Sequence, residues 1–525
     1  MANDRAFLDD IIEHPDDNDP RLIYADWLEE QGGDINKRRA EFIRADIARE
    51  QAKIYSPEWQ RAMIDRNLAL RPDGTLGEHI DRWGYAGERW FYDGEERDLK
   101  KLLGIPQLAR DNSCVYVERG FIEGLNLQGK KRSDYSNYEG KILSDNDIKS
   151  FFDNAPIRSL YSVNLRETDD LKRLLEQDFF RRIEKFEGIG KYPSYINGTS
   201  LSLIAHSPNS SGLEYISLFG VAGERDNSFM QGIIDLCNSK HFELKGLNLG
   251  SLVQVRNRGN AASLDLSLEI ARIVADSERM KGLESLEFST DGSRLNSEMF
   301  PVLALSPNLG NLKKFGIGAI EHRLDDITVA SLLAQFLSSP NASKLEELQL
   351  GGSLYHGTRI DDEVVPAICG LKNLKVLDLC GTRISDQGIR QIFESEARRN
   401  LIKIDLPEAV SPAPLVGNVL RPNLEVIRND GNFNPGPNIE SLGNLAAAKN
   451  LPGLRIVDVY MQMQGAEKEE IVTKHRLPLA ASPDLPALMR ILSYGETVFN
   501  IDTFRRVNAE AIENYRAEHQ GRGGR

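Results

Sequence analysis

The sequence predicts an α/β repeat protein, a small N-terminal helical module followed by a solenoid of parallel strands with helical returns. Three observations predict it. A six-residue apolar motif recurs between residues 113 and 464, the first 52 residues carry a helical period instead, and the composition is that of a soluble chain. At 525 residues the chain is too long for one ordinary core, so several domains or a repeat array are required. Hydrophobic residues at 40% and charged residues at 27% are the balance of a folded globular protein.

The repeated motif is LxxLxL. It begins at Leu213, Leu244, Leu283, Leu312, Leu345, Leu374 and Leu401, degrades at Leu424 and returns at Leu454. Starts are spaced from 23 residues (Leu401 to Leu424) to 39 (Leu244 to Leu283), mostly near 30. Weaker copies are expected at Phe121, Ile157 and Ile183. This is the period of a leucine-rich repeat, whose apolar positions point into a core that no single repeat can bury alone. Amphipathic returns such as Val329 to Leu337 lie between the motifs. In the clearest copy, Leu374 to Phe393, Thr382 stands where such repeats carry Asn or Cys. The spacing near 29 with helical returns resembles the ribonuclease-inhibitor type, which implies an irregular horseshoe with its parallel strands on the concave face.

Residues 1–52 read as helices. Phe7, Leu8, Ile11 and Ile12 share one helical face, as do Ile23, Tyr24, Trp27 and Leu28, while Ala40, Phe42, Ile43 and Ile47 mark a third helix. Asp19-Pro20 reads as a helix cap followed by proline in the first turn, and Gly32-Gly33 as the stop. Asp26 is expected partly buried beside the apolar seam, with Arg44 or Arg39 as its cation. Residues 53–112 read as a mixed helix and loop connector holding Trp59, Trp83 and Trp90. Residues 465–525 read as a C-terminal cap and a disordered tail, with Asp502 capping a helix that carries Phe504, Val507, Ile512 and Tyr515.

Signatures of catalysis do not emerge. There is no GxSxG or HExxH. Gly188-Ile-Gly190-Lys191-Tyr192 lacks the first glycine and the Ser/Thr of a phosphate loop, and Gly316-Ile-Gly318 lies in a repeat strand. His14, Asp16, Asp17 and Asp19 have ligand chemistry, but two prolines interrupt the loop that holds them, and capping explains them better. Ser144-Asp145 and Asp325-Asp326 likewise read as helix caps. No catalytic, cofactor or metal residue is expected. The four cysteines lie far apart, which favours a reducing compartment. The N-terminus lacks a signal-peptide core, no apolar run approaches the roughly 18 residues of a spanning helix, and a cytoplasmic location is expected.

Residues 7–44 also resemble a known family. Phe7-Leu8, His14-Pro15-Asp16-Asp17, Pro20-Arg-Leu-Ile-Tyr-Ala-Asp-Trp27-Leu-Glu-Glu30 and Arg39-Ala-Glu-Phe-Ile-Arg44 are similar to the bacterial repeat-companion domain. Glu118-Arg-Gly-Phe-Ile-Glu123 resembles the strand that opens the repeats of such proteins. The likeness covers about the first 50 residues. It departs at Ala40, where the pattern has Gly, and at a longer link after Gly32, so the turn into the third helix is expected to differ. The family brings no catalytic residues; it implies an architecture and an association with recognition repeats.

The leading functional expectation is a non-enzymatic scaffold or regulator that binds a protein on the concave strand face. The central column there reads Ser217, Asn248, Glu287, Gly316, Gln349, Asp378, Asp405, Arg428 and Asp458, flanked by Tyr215, Phe219, Glu347 and Tyr460. Such acidic, small and aromatic residues suit a basic or protruding partner. The alternative is a recognition module attached to an enzymatic or effector activity in 53–112 or 465–520, with Trp83, Tyr85, Trp90, Phe91 and Tyr92 as pocket candidates. Nucleic acid is disfavoured by a net charge of −14, since Lys130-Lys131-Arg132, Arg181-Arg182 and Lys313-Lys314 are isolated clusters.

Overall fold

A computed structural model describes residues 4–53, 57–70, 115–126, 145–164, 168–189, 195–196, 198–219, 221–222, 227–249, 259–288, 295–318, 320–321, 329–351, 360–395, 399–407, 410, 415, 420–429, 445–446, 448–459, 479–483, 485, 488, 490–492, 499–500 and 509–519. Trp83, Tyr85, Trp90, Phe91, Tyr92, the Lys130 cluster, Gly190, Asp325, Asp326, Tyr460, Asp502, Phe504 and Val507 lie outside them. The chain forms two compact units, residues 1–191 with 203–217 and 240–242, and residues 192–202 with 218–239 and 243–525.

The first unit opens with helices α1 (Asp4–Glu13), α2 (Asp19–Gln31), α3 (Asp34–Gln51) and α4 (Pro57–Leu70). The apolar faces of α1, α2 and α3 meet in a cluster of Ile11, Tyr24, Ala25, Leu28, Ala40, Ile43 and Ile47, with Phe7, Leu8 and Trp27 packed on its edge. Phe121 joins the same cluster from the hairpin β1 (Val115–Glu118)–β2 (Phe121–Asn126). Two-residue hairpin loops favour positive φ at both positions, and Arg119 and Gly120 have φ of 51° and 80°. Gly120 is needed for a second reason: a Cβ there would lie 2.6 Å from the Ile43 side chain.

Two buried carboxylates tie the helices to the hairpin. Asp46 of α3 accepts Arg49 Nε at 2.9 Å and Arg66 Nε at 2.8 Å on one oxygen, and the Gly120 amide at 2.9 Å on the other. Burial pushes its carboxyl up, but the guanidinium charges of Arg66 and Arg49 and the Gly120 amide outweigh that and hold it below the usual range. Glu123 of β2 accepts Arg21 of α2 at 2.9 Å, Arg119 of the loop at 2.9 Å and Arg158 at 3.0 Å. Arg158 also reaches Asp16 at 2.7 Å.

The opening loop therefore has a different use from acid–base chemistry. His14 bonds Asp10 at 2.9 Å, the Asp17 carboxylate accepts the Asp19 amide at 2.9 Å, and Asp16 holds Arg158. Asn18, not Asp19, stands at the cap of α2 and makes no side-chain cap bond; Asp19 is the first helical residue, because Asp17 already satisfies its amide. Gly32 and Gly33, with φ of 70° and 83°, provide the stop. Arg44 does reach Asp26, at 2.6 Å, yet that carboxylate is 70% exposed, so the pair is a surface bridge. Ala40 sits within α3 at 1% exposure, and the helix starts directly after Gly33. The extra link residues are helical.

The first unit continues with α5 (Asp145–Asn154), β3 (Ser159–Asn164), α6 (Thr168–Leu175), β4 (Lys185–Ile189), and then α7 (Gly198–His206) and β5 (Tyr215–Phe219), which both run across the division between units. β1 and β2 are antiparallel, whereas β2, β3 and β4 run parallel. Gly188 lies inside β4, so the first residues of the would-be phosphate loop are strand.

The second unit repeats strand and return. Its strands are β6 (Gly246–Asn248), β7 (Ser285–Phe288), β8 (Lys314–Ile317), β9 (Glu347–Gln349), β10 (Val376–Asp378), β11 (Lys403–Leu406), β12 (Val426–Asn429) and β13 (Ile456–Val459), followed by β14 (Arg490–Leu492) and β15 (Phe499–Asn500). From β6 to β14 all neighbours are parallel, and β15 closes the series antiparallel to β14. The returns include α8 (Asn227–Cys237), α9 (Gly259–Asp276), α10 (Met299–Leu305), α11 (Val329–Leu337), α12 (Val365–Gly370) and α13 (Asp386–Glu394). The final helix is α14 (Ala509–His519), where Ile512 is buried.

The middle residue of each strand faces the core. Leu247, Leu286, Phe315, Leu348, Leu377, Ile404, Ile427 and Val457 are register partners and all are buried. Thr382 is buried as well, and its hydroxyl donates to the Leu379 carbonyl at 2.8 Å. Between helix and strand, small polar side chains reach the carbonyls at the C-terminus of the preceding helix, which lack helical donors. Ser277 donates to Cys237, Ser306 and Asn308 to Ala275, and Asn341 to Leu303 and Ser306. Arg421 does the same for Phe393 and Ser395.

Asn341→Ala strands the buried Ser306 carbonyl, takes one of two donors from that of Leu303 and should cost about 1–3 kcal/mol in denaturant melts, against almost nothing for the exposed Asn373→Ala. Gly120→Ala combines left-handed strain with the Ile43 clash and should destabilise the first unit by about 2 kcal/mol, read by chemical denaturation.

Candidate binding face

On a β-strand, residues two apart share a face, so the positions before and after each buried leucine project together from the sheet. In the second unit the later position forms an in-register column: Asn248, Glu287, Gly316, Gln349, Asp378, Asp405, Arg428 and Asp458. The structure therefore brings together the residues that the repeat alignment places side by side. Tyr215 and Ser217 belong to β5 within the first unit, and both are partly buried. Phe219 ends β5. The aromatic flank at Tyr460 lies outside the described residues.

The earlier position forms a second column beside the first: Gly246, Ser285, Lys314, Glu347, Val376, Lys403, Val426 and Ile456. Its lysines alter the electrostatics of the face. Lys314 lies 2.8 Å from Glu287 and 3.9 Å from Glu347, and Lys403 lies 3.0 Å from Asp405. Glu287 and Asp405 are thus compensated from the neighbouring column. Asp405 is 4% exposed, so its lysine partner matters more than a surface cation would.

Asp378 differs. The lysine position on its strand is Val376, and among the described residues no salt bridge reaches it. Its carboxylate accepts the Cys380 amide at 2.9 Å. Burial and then the charge of Asp405 push its carboxyl up to about 6. Gly316 is buried in this column beneath its neighbours' side chains; a Cβ there would sit 3.0 Å from Glu287 Cγ and 3.3 Å from Gln349 Oε1.

The flanking lysines were not among the candidate residues, although the signal is present in the sequence. Lys403-Ile-Asp405 places cation and carboxylate two apart on one strand, hence on one face. Asp46 and Glu123 were also absent from them. Besides the local partners Arg49 and Arg119, their pairing depends on contacts 20 to 102 residues apart, which no local pattern reveals. Among the described residues, no three His, Cys, Asp or Glu side chains gather as metal ligands, and no helix is long and apolar enough to cross a membrane.

Parallel strands with buried LxxLxL positions and helical returns define an α/β repeat fold of the leucine-rich type. No protein-family model and no curated protein matches the sequence. Among solved structures, an internalin (inlF) from Listeria monocytogenes is similar at 15% identity and a TM-score of 0.31, over 55% of this chain and 71% of that one. A TLR13–ssRNA13 complex is similar at 14% identity and a TM-score of 0.28, over 58% of this chain and 49% of that one. The chain thus spans about half the length of the latter.

Lys403→Met leaves the buried Asp405 without its ammonium and should cost about 1–3 kcal/mol in denaturant melts. Lys313→Met, which breaks an exposed pair with Glu284, should cost under about 1 kcal/mol.

Proposed function

We propose that this chain is a non-enzymatic binding scaffold whose strand face in the second unit holds a protein partner through cationic side chains. One observation carries the reading: carboxylates and small residues stand in register on adjacent parallel strands, at the pitch of an extended surface. Neighbouring strands lie about 4.8 Å apart, so Glu287, Gln349, Asp378 and Asp405 present acceptors along a line. Paired lysines keep the face from repelling itself, while Asp378 remains available as the uncompensated acceptor.

The rest of the sequence reading accompanies this proposal. The first helices are of the repeat-companion kind, the returns are of the ribonuclease-inhibitor kind, and the repeats curve as a horseshoe with this face concave. The division into 1–52, 53–112, 113–464 and 465–525 belongs to the same reading, as does a cytoplasmic bacterial setting. The alternative of an effector activity rests on 53–112 or 465–520.

Affinity capture from cell extract, read by mass spectrometry, tests it. The double variant Glu287→Lys/Asp378→Lys should lose the specific partner at least tenfold, while Glu278→Lys and Asp386→Lys on the returns should retain it. Equal capture by all variants would rule this face out.

A further inference from the structure

The carboxylate at Asp378 is built in a way that those of Glu287 and Asp405 are not. Glu287 and Asp405 each have a lysine ammonium within 3.0 Å. On β10 the equivalent position is Val376, which supplies hydrocarbon instead. Asp378 is also the register partner of Asp405, which places two carboxylates on adjacent strands. Among the described residues, the charged and titratable groups that act on it are Asp405 and Lys403 from β11 and the Cys380 thiol on its own strand's continuation, with Glu347 of β9 in register with Val376 beside it. Gln349 and the Gly351 backbone complete its surroundings; a Cβ at Gly351 would meet the Asp378 carboxylate at 3.0 to 3.2 Å. Among the described residues, Lys403 is the cation whose charge acts on it, and its ammonium lies 3.0 Å from Asp405.

We propose that Asp378, set against Asp405 across β10 and β11, is a proton switch on the binding face. It takes up a proton in mildly acidic surroundings, releases it near neutrality, and so changes the face by one negative charge. Its consequence for binding, a firmer hold on a cationic partner at neutral pH than in acid, rests on the function proposed above; the titration itself does not.

Sign and window follow from the environment. The folded value of about 6 lies above the roughly 3.9 of an unfolded Asp. Between those values the folded chain binds more protons than the unfolded one, so stability from this group is present below about pH 4 and is lost as pH rises through 6. At neutral pH the fold carries the ionised group at a cost. A carboxylate that destabilises its own fold, in a column where Glu287 and Asp405 have lysine partners, is what a site shaped for something other than stability displays.

The test compares the full chain with Asp378→Asn, whose amide resembles the protonated acid in shape and charge. Denaturation midpoints are measured from pH 4.5 to 8, together with binding of a synthetic deca-arginine peptide at pH 5.0 and 7.5. The variant should be more stable than the parent at pH 7.5, and the difference should shrink steadily to about a third by pH 4.5. Val376→Lys provides a second arm. With an ammonium supplied at that position, adding Asp378→Asn should no longer stabilise at pH 7.5. The parent should bind the peptide at least threefold more tightly at pH 7.5 than at 5.0, and Asp378→Asn should lose that dependence. A stability difference independent of pH overturns the switch whatever the peptide does. Peptide binding with the same pH profile in both proteins overturns the switch and leaves the binding face standing. The expected stability profile with no peptide binding at either pH supports the switch and overturns the reading of a cationic partner.

Discussion

Every leucine of an LxxLxL strand points to a core that its own repeat cannot close, and this constraint governs the rest of the second unit. Leu286, Phe315, Leu348, Leu377 and Ile404 lie in register because each covers the next. A one-residue slip would turn the leucines outward and the charged columns inward, so register is enforced by burial. The helix-to-strand corners inherit the same demand. They are buried, their carbonyls need donors, and Ser277, Ser306, Asn308 and Asn341 provide them.

An array of this kind must end somewhere, and an end strand offers unpaired backbone groups to any passing chain. Within the first unit, β1 folds back antiparallel on β2, and the helices α2 and α3 are fastened to that hairpin. Glu123 draws in three arginines, and Asp46 holds the amide of Gly120. Buried charges of this sort contribute less to stability than to placement, because their attraction is offset by desolvation. Their value here is geometric: only one docking of the helices satisfies both carboxylates. Within the second unit, β15 turns back on β14, a comparable solution reached with different residues.

The strand face follows from the same register. Because positions before and after each leucine share a side of the sheet, lysines in one column neutralise carboxylates in the next. Val376, at the position where Lys314 and Lys403 stand on β8 and β11, leaves Asp378 beside Asp405 with its proton affinity raised. A repeat architecture makes such an exception easy to create, since one substitution alters one strand's contribution and leaves the core untouched.

Much of this was legible in the amino-acid order. The motif starts at Leu283, Leu312, Leu345, Leu374 and Leu401 predict the strands and the column from Glu287 to Asp405, because a two-residue period and a fixed repeat leave no freedom in facing. Helices over residues 4–51 follow from the spacing of Ile11, Tyr24, Leu28, Ile43 and Ile47. Only the tertiary structure decided which charges are buried. Asp26, which sequence placed half inside, is a surface group, while Asp46 and Glu123 are the enclosed ones. Burial of a carboxylate depends on elements far apart in the chain, and no local pattern encodes it. The same holds for Asp378. Its neighbours are set two strands wide, by residues 29 before and 27 after it in the repeat, and only their packing raises its hold on a proton.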